Sequence, residues 1–146
     1  MDDLERILAY IKENTVLTLC SERDSQPWAA NCFYGFERTA MAFLVMTELE
    51  TRHGGEMADN PHVAGTISSQ RPTVARLRGL QFSGRALRLD GSAEEAGRSL
   101  YYRRFPFARL RPAPLWSISV DLFKMTDNRL GFGTKLHWRR GEAASR

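Results

Sequence analysis

Residues 41–63 read MAFLVMTELETRHGGEMADNPHV. An uninterrupted apolar run, 41–46, turns polar at Thr47 and then presents Thr51, Arg52 and His53 in succession. A short amphipathic piece, 54–59, stops at Asn60-Pro61, because proline disfavours helix at the residue before it. A second apolar run opens at Val63. The order is strand, turn, short helix, strand. A buried strand thus delivers hydroxyls and cationic donors to a helix start, where free N–H groups and the helix dipole attract an anion. A phosphate fits that chemistry. Taken alone, the same residues also describe an ordinary Thr51 cap followed by a solvated Arg52.

On the N-terminal side, Leu4, Ile7, Leu8 and Ile11 mark one face of a helix. Asp2 and Glu5 have capping-box spacing, and Asn14 is a natural stop. Residues 16–20 predict a strand and 23–27 a turn. Residues 28–36 predict a second strand with apolar residues on both faces, hence one covered on both sides. With 41–46 as the third strand and short connections between them, an antiparallel meander is expected.

On the C-terminal side, 63–68 predict a fourth strand, in which Gly65 invites close approach by a ligand or a neighbouring chain. Residues 69–78 carry no clear period. In 79–89, Leu80, Phe82 and Ala86 share one face, whereas Leu87 and Leu89 take the opposite parity. The change of phase near Gly84-Arg85 predicts a bulge or sharp coil, a device that closes sheets into barrels. Ser92 and Glu95 predict a capped second long helix that ends before Pro106. Residues 115–125 alternate apolar and polar, as a strand with one buried face does. Residues 126–129 form a turn, and 130–138 supply a last hairpin strand. The pattern is mainly β with helices, a small antiparallel barrel of the α+β kind. It makes one domain over 1–138, followed by a tail, 139–146, with no compositional reason to order.

The 146 residues suffice for one domain with a substantial core, and 42% hydrophobic with 26% charged residues is the composition of a soluble globular chain. No stretch is apolar for the ~18 residues a bilayer span needs. The acidic start, MDDLER, is not a secretory signal. Cys20 and Cys32 sit in strand-like runs without a CxxC, which reads as buried free thiols in the cytoplasm. Residues 1–70 hold 5 Lys+Arg against 11 Asp+Glu, and residues 71–146 hold 16 against 6. That asymmetry raises the question of a polyanion, but no run of cations occurs, which argues against nucleic acid. The segment 101–114, YYRRFPFARLRPAP, interleaves arginines with rings. Such a segment grips nucleotides or, as the favoured reading, packs internally or at a dimer seam.

His53, His62 and His137 form no metal-spaced cluster, which argues against a zinc site. GxSxG, P-loop and GxGxxG motifs are absent, and the acids form no pair that singles out a general acid and base.

Five strings carry a resemblance. FLVMTELETRHGGEMADNPHVAGTI (43–67), followed by RGLQFSGRALRL (78–89), resembles the FMN-binding split barrel of the pyridoxamine 5'-phosphate oxidase-like superfamily. YYRRFP (101–106), TDN (126–128) and LGFGTK (130–135) are similar to strings of a small bacterial branch within it, whose chemistry is unassigned. The resemblance covers most of the chain. It implies an antiparallel split barrel, FMN-binding type, and a homodimer with two FMN sites at its interface. By position, Thr47, Thr51, Arg52 and His53 would surround the FMN phosphate. The strand around Asn31 would border the flavin ring, and Arg78 or Gly79 would approach it from the next long strand. His53 stands where the superfamily usually has Lys, and Gly79 where the oxidase has Gln. The oxidase's C-terminal Trp and Arg contacts have no clear counterpart. These departures argue against pyridoxamine phosphate as substrate. The resemblance implies an FMN-dependent oxidoreductase of unidentified substrate. A non-enzymatic binding protein with a degenerate flavin site and a polyanion-binding module stand as the other readings.

Overall fold

The structure, a computed structural model, describes residues 1–71 and 73–142. Asp2 opens the first helix, α1 (Asp3–Glu13), by the reciprocal cap its spacing predicts. The Asp2 carboxylate accepts from the Glu5 N–H at 2.8 Å, and the Glu5 carboxylate accepts from the Asp2 N–H at 3.0 Å. Asn14 ends the helix. Ile7, Tyr10 and Ile11 are buried from its apolar face into the main core.

The strands are β1 (Val16–Arg23), β2 (Gln26–Phe33), β3 (Gly35–Glu37), β4 (Ala42–Met46), β5 (His62–Ser68), β6 (Arg78–Arg88), β7 (Leu115–Asp127) and β8 (Lys135–Arg139). Helix α2 (Arg52–Asp59) joins β4 to β5, and α3 (Gly91–Arg104) joins β6 to β7. All strand pairs are antiparallel, in the order β2-β1-β5-β6-β7-β4-β3, with β8 on β7. The sheet curls into a half-barrel, so that β2 and β4, distant in this order, come back into contact. Inside the curl pack Leu17, Leu19, Tyr34, Phe43, Phe82 and Phe123, all buried. Phe43 is the hub, with its ring 5.2 Å from Tyr34, 4.7 Å from Phe82 and 6.0 Å from Phe123. The β6–β7 register shifts between Ser83 and Gly84, where the change of phase predicts a bulge.

The expected meander does not form. β1–β2 and β3–β4 are separate hairpins at opposite ends of the sheet order, and β4 pairs with β7. The predicted strand 28–36 breaks at Tyr34. Its N–H donates to the Thr15 carbonyl, and its hydroxyl donates to the Ile11 carbonyl at 2.6 Å. Neither bond belongs to a ladder, so the chain leaves one hairpin there and enters the other. β2 is also not covered on both faces: it is an edge strand, and Trp28 and Phe33 are exposed. Helix α3 starts from Asp90, which makes no side-chain cap bond. The Ser92/Glu95 spacing therefore falls inside its first turn rather than at its boundary.

Arg139 ends β8, and Arg140 donates from Nε to the Val120 carbonyl at 2.8 Å and from its terminal nitrogen to the Ala40 and Met41 carbonyls at 2.9 and 3.1 Å. The remaining tail positions, 143–146, lie outside the described residues. The first half of the aromatic-arginine segment packs internally, whereas Phe107 and Leu110 of its second half are exposed. Tyr101 and Phe105 are buried, and the Arg104 guanidinium lies over the Tyr34 ring and donates to the Asn14 carbonyl. Cys32 is a buried free thiol whose pKa is pushed by burial up to about 11, which suits a packing group rather than a nucleophile. Cys20 is partly buried and also free.

Candidate functional site

The end of β4 and the start of α2 build one polar cluster. Thr47 leaves β4 with its N–H bonded to the Pro114 carbonyl, and its side chain is buried. Thr51 caps α2: its hydroxyl accepts from the Gly54 N–H at 3.0 Å and donates to the Glu48 carbonyl at 2.7 Å. The Thr47 hydroxyl lies 3.3 Å from that of Thr51 and 2.6 Å from His53 Nε2. Two hydroxyls and an imidazole thus meet at the helix start. There the N–H groups of Arg52 and His53 belong to the first turn, to which the helix supplies no acceptor. Burial holds the His53 imidazole below its ordinary range, against the opposing pull of Glu56. His53 is therefore neutral at pH 7, and it adds a hydrogen-bonding group rather than a charge.

Arg52 supplies the charge, and the structure fixes its direction. Its Nε donates to the Glu56 carboxylate at 3.1 Å, one helical turn on, and its guanidinium stacks on the Trp28 ring at 4.2 Å. The Glu56 carboxylate is buried and also accepts from the Ser21 hydroxyl at 3.0 Å. Burial alone pushes the Glu56 carboxyl up. The hydrogen bonds from Arg52 and Ser21, with the charges of Arg52 and Arg23, outweigh it and hold Glu56 ionised. Arg23 braces the far end of α2, donating to the Gly55 carbonyl at 3.0 Å and to Asp59 at 2.7 Å. Arg52 is thus neither a loose solvated charge nor wholly consumed by its acid, since its side chain is 48% exposed.

The sequence-predicted residues divide accordingly. Thr47, Thr51, Arg52 and His53 come together. Asn31 lies on β2, the strand that also carries Trp28, and accepts from the Thr18 hydroxyl at 3.0 Å across the β1–β2 pair. Arg78 is elsewhere within this chain. The β5–β6 ladder runs from His62–Arg85, just after α2, to Ser68–Gly79, six residues further along β5. At ~3.3 Å per residue this puts Arg78 about 20 Å from the α2 end of the ladder. Trp28, Ser21 and Glu56 are site residues that sequence reasoning missed. Of these, only Glu56 had a signal, its i,i+4 spacing from Arg52.

The site test for a phosphate is favourable. It offers first-turn N–H groups, a held guanidinium and the Thr47–His53 pair, which are donors such a group uses, while the Thr51 hydroxyl proton is engaged by the Glu48 carbonyl. Among the described residues no group of three or more His, Cys, Asp or Glu gathers as a metal site, and no helix is long and apolar enough to cross a membrane.

The fold is an antiparallel split barrel, which solved structures share. A heme binding protein from Mycobacterium smegmatis superposes with a TM-score of 0.81 at 18% identity, over 95% of this chain and 58% of its own. A FAD-binding protein from Mesorhizobium loti gives 0.70 at 16% identity, over 86% of this chain and 94% of its own. A Listeria innocua protein described as a candidate pyridoxamine 5'-phosphate oxidase gives 0.67 at 16% identity, over 83% and 95%. No protein-family model matches the chain. A UPF0306 protein of Yersinia pseudotuberculosis is 47% identical over 141 residues, 97% of this chain and 96% of its own. The chain belongs to the UPF0306 protein family.

Proposed function

We propose that the protein is a cytoplasmic, homodimeric FMN-binding oxidoreductase, with the FMN phosphate seated at the start of α2. The observation that carries this reading is the Thr47–Thr51–His53 cluster at a helix N-terminus beside a guanidinium held by Glu56 and Trp28. Thr47 and the first-turn N–H groups would bind phosphate oxygens, Thr51 would hold the turn that presents them, and Arg52 would supply the charge. The backbone of β2 around Asn31 would border the ring. Bound FMN supplies two-electron chemistry, while the chain binds, orients and excludes water. The solved structures of similar fold include a flavin binder and a heme binder, so the fold alone does not choose between these ligands. The phosphate-type donor set favours a flavin mononucleotide. Dimerisation is supported by the apolar surface that Phe33 of β2 forms with the 106–110 turn, where Phe107 and Leu110 are exposed.

The test is an absorbance and fluorescence titration of the purified protein with FMN, riboflavin and hemin. The expected result is saturable FMN binding that riboflavin does not match. Arg52→Ala should weaken FMN binding by about 1.5–3 kcal/mol, roughly tenfold to a hundredfold, as loss of a charge-assisted hydrogen bond does. Equal affinity for FMN and riboflavin, or hemin binding alone, overturns the assignment.

A further inference from the structure

At the opposite end of the β5–β6 ladder lies a cavity of about 500 Å³ lined by Arg71, Ala75, Arg76, Arg78 and Arg129. Four of its five described lining residues are arginines. Arg78 is 6% exposed, and its Nε is buried without a hydrogen-bond partner. That nitrogen is closed off from the cavity, so Arg78 meets an occupant only through the terminal nitrogens of its guanidinium. The other bonds of Arg78 are fixed: a terminal nitrogen pairs with Glu13 at 2.9 Å, and the guanidinium lies over the Tyr10 ring at 4.9 Å.

The local charge is not balanced. Arg129 pairs with the buried Asp127 through two bonds, at 3.0 and 2.8 Å, and Arg78 has Glu13. Among the described residues no carboxylate pairs with Arg71 or Arg76. Four guanidiniums therefore face two carboxylates, which leaves two positive charges over. The walls are also tied together. The turn at Val74–Arg76 is held to the turn at Asn128–Leu130, because Asn128 donates from its side chain to the Val74 carbonyl at 2.9 Å and from its N–H to the Leu77 carbonyl at 3.0 Å. Arginines from two segments are thus carried on one braced unit.

We infer that this cavity is a second anion site, separate from the α2 cradle, which takes a small organic ligand bearing at least two negative charges on phosphate or carboxylate groups. The volume lies within the ~300–1,000 Å³ of small-molecule sites. The planar donors of arginine match the paired oxygens of such groups. A cavity of this size, rather than a basic stripe along a face, selects a small molecule over nucleic acid. The resemblance also brings Arg78 towards the flavin, but Arg71, Arg76 and Arg129 enter no part of the FMN reading, so substitution at Arg71 and Arg76 separates failure of one reading from failure of the other.

The experiment is calorimetric titration of the purified chain with pyrophosphate, citrate and inorganic phosphate, at ionic strength matched with sodium chloride. Pyrophosphate or citrate should bind more tightly than phosphate. Arg71→Ala/Arg76→Ala, both exposed positions, should weaken that binding at least about tenfold, the scale of one lost charge-assisted bond. Arg52→Ala/Thr51→Ala, in the α2 cradle, should leave it within about twofold. Arg78→Lys keeps the charge but removes the planar fork of terminal nitrogens, and it should weaken binding with the circular dichroism spectrum unchanged. Loss in the cradle variant with retention in the Arg71/Arg76 variant would assign the anion to α2 and overturn the proposal. Heats no greater than those of the chloride control would also overturn it.

Discussion

At the scale of the residue, the cradle depends on what lies beneath it. Gly54 follows Thr51 at the point where the 48–51 turn folds over the helix. A Cβ on Gly54 would fall on the Glu48 carbonyl oxygen and press on the Thr51 hydroxyl. Gly54→Ala is expected to lower stability by about 1–3 kcal/mol, because backbone rather than a flexible side chain must yield. Urea denaturation measures that loss, and FMN titration of the folded fraction should show it carried into the site. The same residues set a pH response. His53 has a folded pKa below its ordinary 6.5, so the unfolded chain binds more protons between the two values, and stability falls as pH drops below 6.5. Glu56 is likewise depressed from its ordinary 4.5, so its contribution is present above that pH and is lost as pH falls further, through the folded value. Both slopes run the same way. Denaturant midpoints taken from pH 8 to pH 3 should decline in two steps. His53→Gln should flatten the first step and Glu56→Gln the second. A midpoint independent of pH between 7 and 5 would contradict the burial of His53. Much of this site was legible because Thr47, Thr51, Arg52 and His53 fall within seven consecutive residues, so a single turn must gather them. Trp28 and Ser21 were not legible, since they arrive on neighbouring strands whose position only the sheet order fixes. The arginines of the second cavity were hidden for the same reason: Arg129 is far in sequence from Arg71 and Arg76.

At the scale of the element, β7 explains both the split of the barrel and the errors of the sequence reading. One edge of this long strand carries β4 along Leu115–Ser119 and β8 along Leu122–Thr126. The two partners diverge between these registers, and Arg140 fills the gap with bonds to Val120, Ala40 and Met41. Arg140→Ala should cost about 1–2 kcal/mol, the range for charge-assisted bonds at a partly solvated edge, as read by thermal or urea unfolding. Hydrogen exchange should rise first at the Val120 amide, which donates to the Met41 carbonyl at this junction. An unchanged Tm would mean that the clamp is decorative. Alternation along 115–125 announced the strand, but nothing local announced that its edge is shared. Helix α1 and the bulge at Ser83–Gly84 were legible because a cap and a parity change are local signals. The meander was misjudged because short connections do not say which edge of a sheet the chain joins next. Gly65 shows the intermediate case. The sequence asked for a close approach there, and the structure meets it with the Phe82 ring and the Thr18 carbonyl rather than a ligand.

At the scale of the whole molecule, the chain leaves a sheet edge unfinished. β2 ends the sheet, and Phe33 on it packs against Phe105 and Phe107, with ring centroids 5.4 and 5.9 Å apart. That aromatic group continues outward to Leu110, which is 89% exposed and makes almost no demand on its own chain. Such a residue separates folding from assembly. Leu110→Glu removes nothing from the protomer core, so its effect on the fold should stay within about 0.5 kcal/mol. At a dimer seam, the same change buries an unpaired carboxylate against a partner, a cost of several kcal/mol that a moderate interface does not absorb. The expected outcome in analytical ultracentrifugation is therefore a dimer for the parent and a monomer for Leu110→Glu at the same concentration, with identical circular dichroism. If the FMN sites need both copies, flavin affinity should fall together with the mass, although Leu110 lies in neither the α2 cradle nor the arginine cavity. A variant that remains dimeric would place the interface away from the 106–110 turn. A monomer that keeps the parent's flavin affinity would make each cradle complete within one chain, with Arg52 and its support from Trp28 and Glu56 sufficient to hold the phosphate.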